Sequence, residues 1–222
     1  MTERPLVIFG TSTQARLAAH YFATDSEWTP VAFAVDRAYM EADTFEGLPV
    51  VAFEEVEDRH PPGDHDMHVA LGYSQMNRVR QAKYEAAKAL GYRLATYVSS
   101  RCSYLSASPP GDNCLILEDN TVQPFVTIGD NVTLWSGNHI GHDSVIGDHV
   151  FIASHAVVSG WCVIEDNCFI GVNATLRDAI TIGRASLIGA GATVMADTEA
   201  DSVYVPPRAI RLDANSGDVT IS

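Results

Sequence analysis

Basic residues are scarce in this 222-residue chain: 14 Lys and Arg against 28 Asp and Glu leave a formal charge of -14. That balance argues against a nucleic-acid partner, because phosphate backbones are held by Lys and Arg. The scarcity is uneven. Not one Lys or Arg lies between Arg101 and Arg177, whereas Arg177, Arg184, Arg208 and Arg211 gather near the end. An acidic protein that holds an anion needs such a local cluster, although a solvated surface would read the same way. Long apolar runs are missing too: no segment reaches the roughly 18 apolar residues of a membrane span. MTERPLVIFG has no basic stretch ahead of an apolar run and cleavage site, so a first strand is expected there and not a secretory signal. The four cysteines, Cys102, Cys114, Cys162 and Cys168, show no CxxC spacing, and reduced thiols in a cytoplasm are the default expectation. What the chain does have, at 46% hydrophobic residues, is enough apolar material for a real core.

The chain divides into two halves with different periods. Up to residue 98, strand-like runs alternate with helical ones: PLVIFG (5–10), a helix over 13–25, VAFAVD (31–36), LPVVAF (48–53), MHVALGY (67–73), a helix over about 75–91 and a last strand near 93–98. This alternation predicts an α/β unit with a small parallel sheet, a Rossmann-like domain over 1–98. From about residue 110 aliphatic residues recur every six positions: Ile116, Val122, Ile128, Leu134, Ile140, Ile146, Ile152, Val158, Ile164, Ile170, Leu176, Ile182, Ile188 and Val194. Neither a helix nor an ordinary strand has that period, and a hexapeptide parallel β-helix does. The aliphatic side chains should stack inside a triangular prism, three hexapeptides to a coil. Small residues should fill the position four further on, as Cys162 and Cys168 do. Glycines directly after the aliphatic, as at 129, 141, 147, 171, 183 and 189, should sit at tight corners. An all-β left-handed β-helix is therefore predicted over 99–200. A closing strand and proline turn, VYVPPRAIRL, is predicted within a C-terminal segment over 201–222.

An N-terminal Rossmann-like piece joined to a hexapeptide β-helix resembles the bacterial sugar acyltransferases of the sialic-acid O-acetyltransferase type, the group that includes bacillosamine and perosamine N-acetyltransferases. The most specific stretch is NHIGHDSVIGDHVFIASHAVVSG (138–160), followed by GVNAT (171–175) and IGAGATV (188–194). The resemblance implies acetyl-CoA as co-substrate, an amino or hydroxyl group of a nucleotide-linked sugar as acceptor, and a homotrimer holding the donor between subunits. It implies that His142 of the His142-Asp143 pair is the general base and that Gly160, eighteen residues on, gives an oxyanion-stabilising N–H. The later coils, at Asn173, Ala174, Gly189, Ala190 and Gly191, would carry the pantetheine arm, with Gly160 at its end. Arg177, Arg184 and Arg208 are the candidates for the CoA phosphates.

Two positions depart from the family pattern. Gly141 precedes the histidine, which leaves Asp143, Asn138 or no residue to orient the base. The first loop, GTSTQAR, has a single glycine. Candidate substrate residues are Gly10, Thr11, Ser12, Asp36, Gly72 and Tyr73 at strand C-termini, where open α/β sheets bind ligands. Asn138, His139 and His155 join them near the base, and His149 reads as surface.

Two other functions compete. Hexapeptide prisms also form γ-type carbonic anhydrases, whose zinc takes three histidines. His139, His149 and His155 could be imagined in that role, though their spacing differs from that family's and no metal is expected. A non-catalytic binding protein is the third reading.

Overall fold

The computed structural model describes residues 4–211 and 213. Its first part is a five-stranded sheet in the order β3-β4-β2-β1-β5, made of β1 (Arg4–Phe9), β2 (Trp28–Val35), β3 (Thr44–Phe45), β4 (Leu48–Ala52) and β5 (Asp66–Val69). All pairings are parallel except that of β3 with β4. Strand side chains alternate between faces, and β1 uses both. Leu6 and Ile8 pack with Ala15, Ala18 and Phe22 of α1 (Thr13–Thr24), whereas Val7 and Phe9 pack with Tyr84 and Ala87 of α3 (Arg78–Ala89). A one-turn α2 (Val56–Arg59) lies between β4 and β5.

The second part is a stack of two-residue strands forming three parallel faces. Stacked partners are eighteen residues apart, as Leu115–Ile116 under Thr133–Leu134 under Phe151–Ile152. Short parallel strands in this repeat fit a left-handed β-helix of hexapeptide repeats. The fourteen aliphatic positions from Ile116 to Val194 are all buried, none above 5% exposed, and form one continuous core. Cys162 and Cys168 lie in that core as packing residues.

Three corners join the faces. The first includes 135–138 and 153–156, the second 141–144 and 159–162, and the third 147–150 and 165–168. One residue of nearly every turn has a positive φ, including Asn131, Asp143, His149, His155 and Asn173. Asn, Asp and His tolerate that region better than other non-glycine residues. The glycines that follow the aliphatic are not those residues. Gly129, Gly141 and Gly147 have ordinary φ, and a Cβ on Gly141 would lie 2.5 Å from the Gly160 nitrogen. They are glycine because neighbouring coils approach each other there.

The segment predicted as a last strand of the α/β half behaves differently. Leu94 makes a single bridge to Met67, while Tyr97–Val98 pairs with Leu115–Ile116 as the first rung of the prism. Val98 and Tyr104 extend the six-residue register backwards, where Tyr104 and Pro110 break the aliphatic pattern. At the other end, Val203–Tyr204 closes on Leu187–Ile188. The rest of the predicted tail, Leu212 and 214–222, lies outside the described residues.

Helix α3 fastens the two parts together. Arg80 is buried, donating to Thr133 Oγ1 (2.8 Å) and to the carbonyls of His149 (3.1 Å) and Val150 (3.2 Å), with its guanidinium 5.6 Å from the Phe151 ring centre. Burial lowers its pKa to about 10. Asn77 donates to the carbonyls of Asn167 and Cys168.

Candidate active site

The second corner presents His142. It is half-buried, two residues beyond the inward Ile140, so its imidazole stands outside the prism. Its N–H donates to Gln123 Oε1 at 2.9 Å, fixing the backbone from the coil below. Its Nδ1 lies 2.9 Å from Asp143 Oδ2. A carboxylate there favours the proton on Nδ1 and leaves the Nε2 lone pair to accept another. Of the two orienting partners considered from sequence, Asp143 makes the contact. Asn138 is turned inward, donating to the Trp135 carbonyl and accepting from the Ala156 N–H (2.8 Å), so it does not reach the outer surface.

Gly160 lies one coil further, on the same corner. A Cβ added there would meet His142 Cε1 at 2.8 Å and Nε2 at 2.9 Å, so the imidazole occupies the space a side chain would fill. Its φ is not positive; Trp161 takes that conformation, with φ 55°. The Gly160 N–H donates to no acceptor among the described residues, while the carbonyl accepts from Ala179. A ring nitrogen and an unclaimed N–H therefore lie on adjacent coils. That pairing can accept a proton and stabilise an oxyanion. Trp161, not picked out from sequence, stands against the histidine with ring centres 4.4 Å apart and planes at 88°. The eighteen-residue offset from Asp143 would have placed it on this corner; where its ring points was not legible.

The other histidines diverge. His139 is half-buried on the second face, pairing with Thr121 and Val157. His155 is exposed on the first corner, its ring over Gly137. His149 is not a surface residue as expected. The third corner is covered by α3, so His149 is buried beside Tyr84 and its Nδ1 contacts Asn131 Nδ2 at 2.9 Å. Burial lowers its pKa.

Among the residues assigned to the donor, Asn173, Ala190 and Gly191 are exposed on the first corner. Ala174 points into the core, and the Gly189 N–H is taken by the Tyr204 carbonyl with Val205 packed above it. Neither offers a free group to a ligand. Arg177 is exposed on the second corner, Arg184 on the third and Arg208 beyond the last coil; none makes an ion pair among the described residues. One prism does not bring the three arginines together.

In the α/β part, Gly10 has φ 123° and would place a Cβ 3.1 Å from the Ala70 carbonyl, so strand packing already requires its glycine. Thr11 borders a cavity with Val35, Glu41 and Phe45, and Ser12 is exposed at the start of α1. Asp36 is paired with Lys83 Nζ at 2.5 Å. Gly72 faces the Gln14 amide. Tyr73 packs on Phe151 and Phe169 of the first face, a contact between the two parts. A small cavity of about 20 Å³, room for a single water, lies nearby between Gln14, Leu17, His68, Leu117 and Trp135.

The bacterial transferase hexapeptide (six repeats) family model matches residues 126–160 and 162–196. No curated protein matches the sequence. Among solved structures, the acetyltransferase domain of PglB from Neisseria gonorrhoeae in complex with acetyl coenzyme A is 25% identical, with a TM-score of 0.81 over 90% of this chain and 95% of that one. PerB from Caulobacter crescentus in complex with CoA and GDP-perosamine is 20% identical, with a TM-score of 0.77 over 90% and 92%. WeeI from Acinetobacter baumannii is 23% identical, with a TM-score of 0.75 over 90% and 95%. The chain thus carries bacterial transferase hexapeptide repeats, in a fold it shares with PglB, PerB and WeeI.

Proposed function

We propose that this protein transfers the acetyl group of acetyl-CoA to an amino (or hydroxyl) group of a nucleotide-linked sugar in glycan biosynthesis. The observation that carries the reading is His142, oriented by Asp143 and stacked over Gly160 on an open corner. His142 Nε2 takes the acceptor's proton as its nitrogen or oxygen attacks the thioester carbonyl. Gly160 N–H donates to the oxyanion that forms. Collapse breaks the C–S bond, and the imidazolium returns its proton to the departing CoA thiolate. General-base assistance of this type contributes about 10²- to 10⁴-fold.

PglB is described as binding acetyl coenzyme A and PerB as binding CoA and GDP-perosamine, which supports the same donor and class of acceptor here. In this reading the α/β part is a Rossmann-like unit for the nucleotide sugar, held around Thr11 and Ser12 at the strand C-termini. The stacked coils that begin at Tyr97–Val98 are the acyltransfer prism, and Val203–Tyr204 closes it. Asn173, Ala190 and Gly191 border the pantetheine, and Arg177, Arg184 and Arg208 are the candidates for the CoA phosphates. The protein works in the cytoplasm as a homotrimer. Phe125, Val145 and Val163 leave exposed apolar side chains on the coils around the base. A neighbouring copy packed there would cover these side chains and bring its own first corner, with His155, towards His142. The γ-carbonic-anhydrase alternative loses a ligand, because His149 is buried and bonded to Asn131.

The test combines ligand-induced stabilisation with kinetics. Acetyl-CoA and one of UDP, GDP, dTDP or CMP should each raise Tm, since a ligand at 100 times its Kd adds about 2.7 kcal/mol. His142→Ala should lower turnover at least 10²-fold with Tm nearly unchanged. Stabilisation by zinc and silence from every CoA species would overturn the reading.

A further inference from the structure

We propose that Trp161 is a positioning residue for His142, holding the imidazole over Gly160 in the orientation that acyl transfer uses. The proposal rests on His142 being the base and adds a residue that the reaction scheme does not contain.

Three observations converge. The indole and imidazole centres are 4.4 Å apart with planes at 88°, an edge-to-face arrangement that aromatic rings prefer. The backbone reinforces it, since the Trp161 N–H donates to the His142 carbonyl at 2.9 Å. Trp161 also occupies a left-handed corner (φ 55°), where bulky side chains are outliers and Asn, Asp or Gly is easily accommodated. Burial does not compensate for that choice, because the side chain is 58% exposed. A tryptophan at this corner therefore gains little for the fold, and its distinctive contact is with His142.

The imidazole needs such a wall. Asp143 restrains it through one nitrogen, and both side chains are well exposed, 42% and 39%. A single hydrogen bond at the surface leaves the ring free to swing about its χ angles. The Gly160 backbone limits motion on one side. The indole limits it on another, so the Nε2 lone pair stays beside the unclaimed Gly160 N–H.

The experiment has a kinetic arm and a spectroscopic arm. Trp161→Ala should lower kcat about 10-fold, since a misplaced catalytic group costs up to about 10²-fold per ångström. KM for acetyl-CoA should stay within about 2-fold, Tm should not fall, and Trp161→Phe should recover most of the loss. In the second arm, the His142 ring-proton resonances are compared by NMR at one pH without substrates. The indole ring current displaces them in wild type, so Trp161→Ala should return them towards the positions of an isolated imidazole. Native kcat in Trp161→Ala, or identical His142 ring resonances in wild type and Trp161→Ala, would overturn the proposal. Full turnover in His142→Ala would instead overturn the functional reading, and the proposal with it.

Discussion

Replacing Gly160 and Gly141 by alanine separates catalytic geometry from coil packing. At Gly160 the new methyl would lie 2.8 Å from His142 Cε1 and 2.9 Å from Nε2. Carbon atoms settle at about 3.5–4.0 Å, so the ring must retreat by roughly 0.7–1 Å. It can do so cheaply, because it is the far end of a half-exposed side chain and Gly160 has ordinary backbone angles. Stability should barely change, while the base leaves its place beside the N–H; displacement on this scale costs up to about 10²-fold in rate. At Gly141 the methyl would lie 2.5 Å from both Gly160 N and Ser159 C, backbone atoms with no rotamer to yield. Overpacking of that kind costs about 1–3 kcal/mol, or roughly 2–12 °C in Tm at this size. Steady-state release of free CoA, measured with thermal melts of both variants, decides the matter. A Gly160→Ala enzyme with native kcat would refute the reasoning, as would a Gly141→Ala protein that melts like wild type.

Further perturbations probe the rest of the architecture. Arg80→Met leaves Thr133 Oγ1 and the His149 and Val150 carbonyls without their guanidinium donor; a loss on the order of 3 kcal/mol is expected in urea unfolding. His68 is buried, and burial lowers its pKa from 6.5 to about 4. The unfolded chain therefore takes up the proton first as pH falls. Stability is fully retained above pH 6.5 and drops by roughly 3 kcal/mol on descending to pH 4. His149, its pKa also lowered by burial, acts in the same direction. His68→Gln should flatten the acid side of a stability–pH curve relative to wild type. Ile146→Ala, in the middle of the prism core, should cost about 2–5 kcal/mol without changing KM.

The sequence alone determined the prism. Hydrophobic side chains at a fixed six-residue spacing leave one way to bury them all, and each of the fourteen aliphatic positions is inside. Local order was equally legible for α1, α3 and the main strands of the α/β half, whose patterns depend on near neighbours. It also put His142 outside the prism and Gly160 one coil away, since both follow from counting in units of six and eighteen. Tertiary structure decided what counting cannot reach. Tyr97–Val98 read as the end of one part because its strand partner, Leu115–Ile116, is set by the stacking of coils. His149 read as surface because α3, whose Tyr84 lies 65 residues earlier in the chain, covers that corner and buries it. Ala174 and Gly189 looked open until the prism interior and the closing strand claimed them. Asp143 and Trp161 became neighbours of the imidazole through side-chain directions on two successive turns. Periodicity fixes which way a residue faces, whereas contact depends on distances between segments that the chain does not make adjacent.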